Sequence, residues 1–278
     1  VQLIPRYGAD PVITLDGPPA AIVGPAVRQR RRLAAALASF GEEEWAHPSR
    51  CEGWSSRDVV VHLDSTNTFW AHSIGSGLRG EPTELLATFD PVATPAQIVA
   101  AAHGASTSEV LDRFVATTDS LVDVMTAVGG DGWSAVAEAP PGHLRIGAVA
   151  HHALWDSWVH ERDILLPLGL APDEEPDEIA LGLRYVAALG PALAVNHGLA
   201  GAGTVAVDVT GPELCFVVDI GDRVAVRAGS ARADLRLTGD AVDLLEALSR
   251  RRPLDQSIPV GSSWMLGGLA EAFDADPQ

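Results

Sequence analysis

His62, Asp156 and His160 are the residues of this chain whose types and spacing best suit chemistry. In the segment WDSWVHERD, Asp156 and His160 stand four positions apart, so on a helix they lie one above the other and can grip one ion together. His62 is distant in sequence and lies among apolar residues in VVVHLD, where an unpartnered imidazole would be costly to bury. Two imidazoles and a carboxylate suit zinc or a similar divalent metal. Three protein ligands leave a position open for water or substrate, the pattern of catalytic rather than structural zinc. The expectation is therefore an enzyme whose metal ligands are His62, Asp156 and His160. Other histidines compete for the role, and His152, Asp156 and His160 form an i, i+4, i+8 ladder. The ends of such a ladder are about 12 Å apart along a straight helix while metal–nitrogen bonds are about 2 Å, so one ligand must come from elsewhere. His72, His103, His143 and His197 read as surface, loop or capping residues.

The elements that must position these groups read as helices in the first part of the chain. Leucine and alanine at helical spacing predict a helix over 27–40, ending at Gly41. After the punctuation HPSRCEGWSS, Ser55 or Ser56 suits an N-cap for a second helix that carries Val59, Val60, His62, Leu63 and Phe69 toward Gly75. A long helix is expected over 96–128, and a fourth opens near Arg145 and carries Asp156 and His160 to the region of Pro167. Four helices with ligands on two of them fit a bundle with a metal site in its core. Beyond Pro172 the pattern changes: a helix over 177–195, then strands over 204–209, 214–220, 223–228 and 233–238, with Gly221-Asp222 as a hairpin signal. Helices over 241–248 and 264–273 close the chain. The expected fold class is α+β: an extended arm over 1–25, a four-helix metal-binding domain over 26–170, and a smaller α+β domain with a short antiparallel sheet over 171–278.

Composition narrows the function. A length of 278 residues fits two domains, and 47% of them are apolar without an uninterrupted apolar run long enough to cross a bilayer. Charge and proline stand near the N-terminus where a signal peptide would need an apolar core, so a cytoplasmic protein is expected, with no membrane partner. A formal charge of −18 argues against nucleic acid, whose phosphates call for clustered cations. The one basic run, Arg28 with Arg30 to Arg32, reads as a solvated helix face. All 19 cations are arginine, a bias of high-GC genomes that implies no mechanism. Cys51 and Cys215 fall in different halves and form no CxxC pair; Cys51, in the loop before the His62 helix, is placed where it could approach the site, but a buried structural thiol is the better reading.

Two motifs taken together, PSRCEGWSSRDVVVHL and WDSWVHERDIL, resemble the mycothiol-dependent maleylpyruvate isomerase family. The opening DPVITLDGPPAAIVGPAVRQRRRL looks like actinobacterial members, and ADLRLTGDAVDLLEALSRRRPL is similar to the family's smaller C-terminal domain. The resemblance covers residues 26–167 best. It implies a DinB-like four-helix bundle, zinc or another divalent metal on the same three residues, mycothiol as thiol cofactor, and a small electrophilic substrate. The family usually has glutamate where this chain has Asp156, a carboxylate shorter by one methylene. The implied chemistry is intelligible: zinc lowers the pKa of a coordinated thiol as it does that of water. Addition of the thiolate to an electrophilic alkene, bond rotation and expulsion give cis–trans isomerisation, and retention of the adduct gives S-transfer. Arg251, in SRRRPL, is the residue that the resemblance assigns to catalysis and to binding the thiol or the acceptor, with Arg250 and Arg252 as close competitors. Two other classes compete: a metal-dependent hydrolase or lyase that needs no added thiol, and a non-catalytic ligand-binding protein.

Overall fold

The computed structural model describes residues 3–199 and 201–273. Four helices form a bundle: α1 (Val23–Leu37), α3 (Ser56–Leu78), α5 (Thr107–Ala127) and α6 (Ile146–Leu165), with α1 and α3 each packing against both α5 and α6. Short helices α2 (Glu42–Ala46) and α4 (Ala93–Ala101) fill the connections. Local chemistry sets the helix starts. Ser55 accepts from Asp58 N while Asp58 accepts from Ser55 N at 3.0 Å, a reciprocal cap that opens α3 six residues before His62. Ser106 and Glu109 make the same cap at the start of α5. That cap corrects the expectation of a single helix over 96–128, because Ser106 begins a new helix after the HGA break.

The segment before α6 also differs from a plain loop. β2 (Val136–Ala139) and β3 (Gly142–Arg145) form a short antiparallel hairpin across Pro140-Pro141. Gly142 sits at φ +113°, and a Cβ there would meet Arg6 O at 2.0 Å, so only glycine lets the N-terminal segment run alongside. His143, expected on the surface or in a loop, is instead 6% exposed; its Nδ1 accepts from Gly8 N at 3.0 Å, and its Nε2 lies 2.9 Å from Thr83 O. Strands of four residues are too short for periodicity to reveal.

The second half is built on one five-stranded sheet in the order β1-β6-β5-β4-β7: β1 (Ile13–Leu15), β4 (Gly203–Thr210), β5 (Leu214–Ile220), β6 (Val224–Ala228) and β7 (Leu235–Asp240). The expected antiparallel sheet is corrected to a mixed one. β4, β5 and β6 are antiparallel neighbours, but β7 runs parallel to β4 and β1 runs parallel to β6. The arm expected over 1–25 thus supplies an edge strand to the distant sheet, and α1 already begins within it at Val23.

Helix α7 (Pro176–Asn196) is the seam: it packs on α6 and α1 of the bundle, on α8 (Ala241–Leu248) and α9 (Trp264–Phe273), and on β1, β5 and β6. It is the one described helix long and apolar enough to cross a membrane, and 78% of that stretch is buried within the fold. One apolar core runs from Trp70 and Leu121 of the bundle through Leu154, Leu183 and Leu189 to Val207, Phe216 and Val226 of the sheet. A second core, with Leu33, Val59, Leu63, Phe114 and Ile164, fills the other part of the bundle.

Candidate metal centre

His62 on α3 and Asp156 and His160 on α6 converge so that one ligand atom from each lies within 4.8 Å of the others. His160 Nε2 stands 3.6 Å from Asp156 Oδ1, and the rings of His62 and His160 meet edge to face at 4.9 Å between centroids. Trp54, from the loop before α3, lies against the His62 ring at 5.5 Å. The triad read from the sequence is thus assembled. His62 Nδ1 and Asp156 Oδ2 are buried with no hydrogen-bond partner, and leaving such groups unpaired is costly. A divalent cation is the group this donor set fits.

Electrostatics agree with that fit. Burial, reinforced by the charge on His160, pulls His62 down to about 4, so its imidazole is neutral and able to ligate at pH 7. Burial works against ionising Asp156, but His160 and His62 outweigh it and hold the carboxylate below its ordinary range. For His160, burial is overcome by Asp163, Cys51 and Asp156, which push it up to about 10. A cation bound at His160 would have to displace the proton that these neighbours favour.

The outer nitrogen of His160 is equally well held. Nδ1 lies 3.0 Å from Asp163 Oδ2, one turn further along α6. Asp163 is fully buried and receives Arg251 Nε and Nη2 at 2.9 Å each, together with Arg50 Nε at 3.0 Å. Arg50 reaches on to both oxygens of Glu246 on α8, which also accepts from Arg162 Nε at 2.7 Å. A carboxylate behind a ligand histidine fixes the ring and its tautomer. Arg251 thereby reaches the site across the chain, although its fork is engaged with Asp163. It follows α8, whose end closes with Arg250 at φ +60° and Arg251 N donating to Glu246 O at 2.8 Å. Arg252 instead pairs with Asp243 on the surface.

Cys51 is a correction. It is half-buried rather than a core thiol, and its Sγ lies 3.3 Å from Asp163 Oδ2, 3.7 Å from His160 Nδ1 and 3.9 Å from Arg251 Nη2. Cys51, His160 and Asp163 are close enough to form an alternative metal set. The guanidinium groups already bonded to Asp163 oppose a cation there, which favours the His62 triad. His151 and His152 are spent on other bonds, to Gly147 O and to the Tyr185 hydroxyl, both at 2.7 Å. The basic run of α1 is not simply solvated. Arg31 is exposed, but Arg30 is buried, and Arg32 pairs with Glu161 at 2.7 Å and Glu178 at 2.8 Å. Asp163 and Arg50 are not legible as site residues. The available signals were the H-x-x-D spacing after His160 and the position of Arg50 beside Cys51.

The fold is a helical bundle with two histidines and a carboxylate converging in its core, followed by an α+β half. The family described as mycothiol maleylpyruvate isomerase N-terminal domain matches residues 26–165, and the chain belongs to that family. The match includes all three triad residues and stops short of Arg251. The fold is similar to the crystal structure of the mycothiol-dependent maleylpyruvate isomerase, with a TM-score of 0.63 and 15% identity over 88% of this chain and 96% of that one. A histidine-to-alanine mutant of that enzyme is similar with a TM-score of 0.61 and 14% identity over 85% and 91%. No curated protein matches the sequence.

Proposed function

We propose that the protein is a divalent-metal enzyme, with zinc the expected ion, that uses mycothiol to isomerise a small electrophilic alkene of the maleylpyruvate type. The observation that carries this reading is the convergence of His62, Asp156 and His160 within 4.8 Å in a chain of this family, with His62 Nδ1 buried and unbonded. His62, Asp156 and His160 would hold the divalent ion, which when bound would lower the pKa of a thiol beside it. The chain's own groups do the rest. His62 offers a neutral nitrogen, Asp156 offers negative charge, and Asp163 holds His160 through Nδ1 so that Nε2 faces the triad. Arg251 brings a permanent cation to the rim of the site, suited to a carboxylate on the acceptor. Residues 26–170 serve as the metal-binding unit, and residues 171–278 contribute that arginine.

The test is conversion of maleylpyruvate by the zinc-loaded enzyme with and without mycothiol. The trans isomer should form only when the thiol is present. Turnover in thiol-free buffer would contradict the reading and favour a hydrolase or lyase, and a stable thiol conjugate as product would redefine the reaction as S-transfer.

A further inference from the structure

The basic run on α1 holds a charge that the metal centre has not yet explained. Arg30 is 1% exposed, and its Nε donates to Asn67 Oδ1 of α3 at 3.1 Å while its Nη2 donates to Ala153 O of α6 at 2.8 Å. Asn67 is itself oriented by donating to Thr118 Oγ1 of α5 at 3.1 Å, so its oxygen is the atom turned toward Arg30. Nη1 is buried with no hydrogen-bond partner. A guanidinium in this position needs an anion, because an uncompensated buried charge is costly. Burial brings Arg30 down to about 10 and Asp156 opposes that loss, so the group stays charged at neutral pH.

The helix geometry says where this charge lies. A carbonyl in an α-helix points toward the amide four residues on, so Ala153 O is beside Ser157 N and the guanidinium it receives is level with Asp156. The two oxygens of Asp156 differ: Oδ1 lies 3.6 Å from His160 Nε2, inside the triad, while Oδ2 is buried and unbonded. Two buried, unbonded atoms of opposite charge therefore belong to neighbouring side chains. We propose that Arg30 is a positioning residue of the metal centre, which engages Asp156 Oδ2 through one ordered water and so reserves Oδ1 for the ion. This inference rests on the metal reading of the triad. Its consequence is a one-oxygen carboxylate ligand, which leaves room at the ion for the thiol. Partners behind a ligand carboxylate commonly act in this way, and a buried water needs polar partners of this kind.

Cobalt(II) loaded into the wild-type, Arg30→Lys and Arg30→Gln proteins tests the proposal. The wild type and Arg30→Lys should share an intense four-coordinate visible spectrum. Arg30→Gln should bind cobalt with a clearly weaker band, because the released Oδ2 joins the ion and raises its coordination number. A spectrum of Arg30→Gln that superimposes on that of the wild type would overturn the proposal. Thermal unfolding of the metal-free protein provides a second measurement, which decides if Arg30→Gln does not fold or if the wild type takes up no cobalt. The loss of midpoint caused by Asp156→Asn should shrink by at least half in an Arg30→Met background; equal losses in both backgrounds would overturn the pairing. Failure of the wild type to bind cobalt would count against the metal reading, whereas equal midpoint losses would count against Arg30 alone.

Discussion

The bundle half of the chain brings three candidate ligand side chains within 4.8 Å of one another, whereas the sheet half contributes Arg251 and Glu246, which bind the charged groups behind His160. The difference separates two kinds of failure. Changes in the bundle ligands should remove the metal and with it the chemistry. Changes in the sheet half should leave the metal in place and alter recognition, orientation or stability.

The largest effect is expected from the bundle. His160→Ala removes a ligand and the link to Asp163, and thiol-dependent turnover should fall to the uncatalysed background in a steady-state assay. Asp163→Asn tests the layer behind that ligand. By the usual cost of losing such a partner, metal affinity should drop about 10- to 100-fold in a chelator competition. Unchanged affinity would place Asp163 among purely structural residues.

From the sheet half, Arg251→Met should keep the metal while weakening thiol or acceptor binding, with a loss in kcat/KM of about tenfold, or roughly 1.4 kcal/mol. Loss of metal to the same degree as in Asp163→Asn would blur the division between the halves. Glu246→Gln should act on stability. Burial opposes the charge on Glu246, but Arg50 and Arg162 hold its carboxyl below the ordinary range. A depressed carboxylate contributes its stability above its unfolded value of about 4.3 and loses it as the pH falls through the lower folded value. Urea unfolding at pH 7 should show Glu246→Gln destabilised by about 1.5–3 kcal/mol, with the gap to the wild type closing at acid pH. The smallest effect is expected for the Cys51→Ser, Cys215→Ser double variant. A serine hydroxyl can still donate to Asp163, so most activity should remain when mycothiol is supplied.

The convergence of the three candidate ligands is legible because helical spacing pairs Asp156 with His160 and because His62 stands in an apolar stripe. The helix starts are partly legible: the sequence offers Ser55 or Ser56 as the N-cap of α3 and Ser55 takes the role, whereas the Ser106–Glu109 cap divides α4 from α5 inside one apolar pattern. Pairing across the chain could not be read. β1 joins β6 across about two hundred residues, and no local pattern in a three-residue strand specifies that neighbour. The charges behind the ligands were hidden for the same reason. Arg30 and Arg31 are adjacent in one run, yet a helix turns one into the core and the other to solvent. Arg251 was reached through family resemblance, and only its place after α8 explains how it meets Asp163.

The most direct test of the central claim is elemental analysis of the purified full chain and of His62→Ala after loading with zinc and removal of free metal. One divalent ion per wild-type chain and none in His62→Ala is the predicted result. A wild-type chain without stoichiometric metal, or a His62→Ala variant that keeps it, would contradict the assignment of His62, Asp156 and His160 as the metal centre.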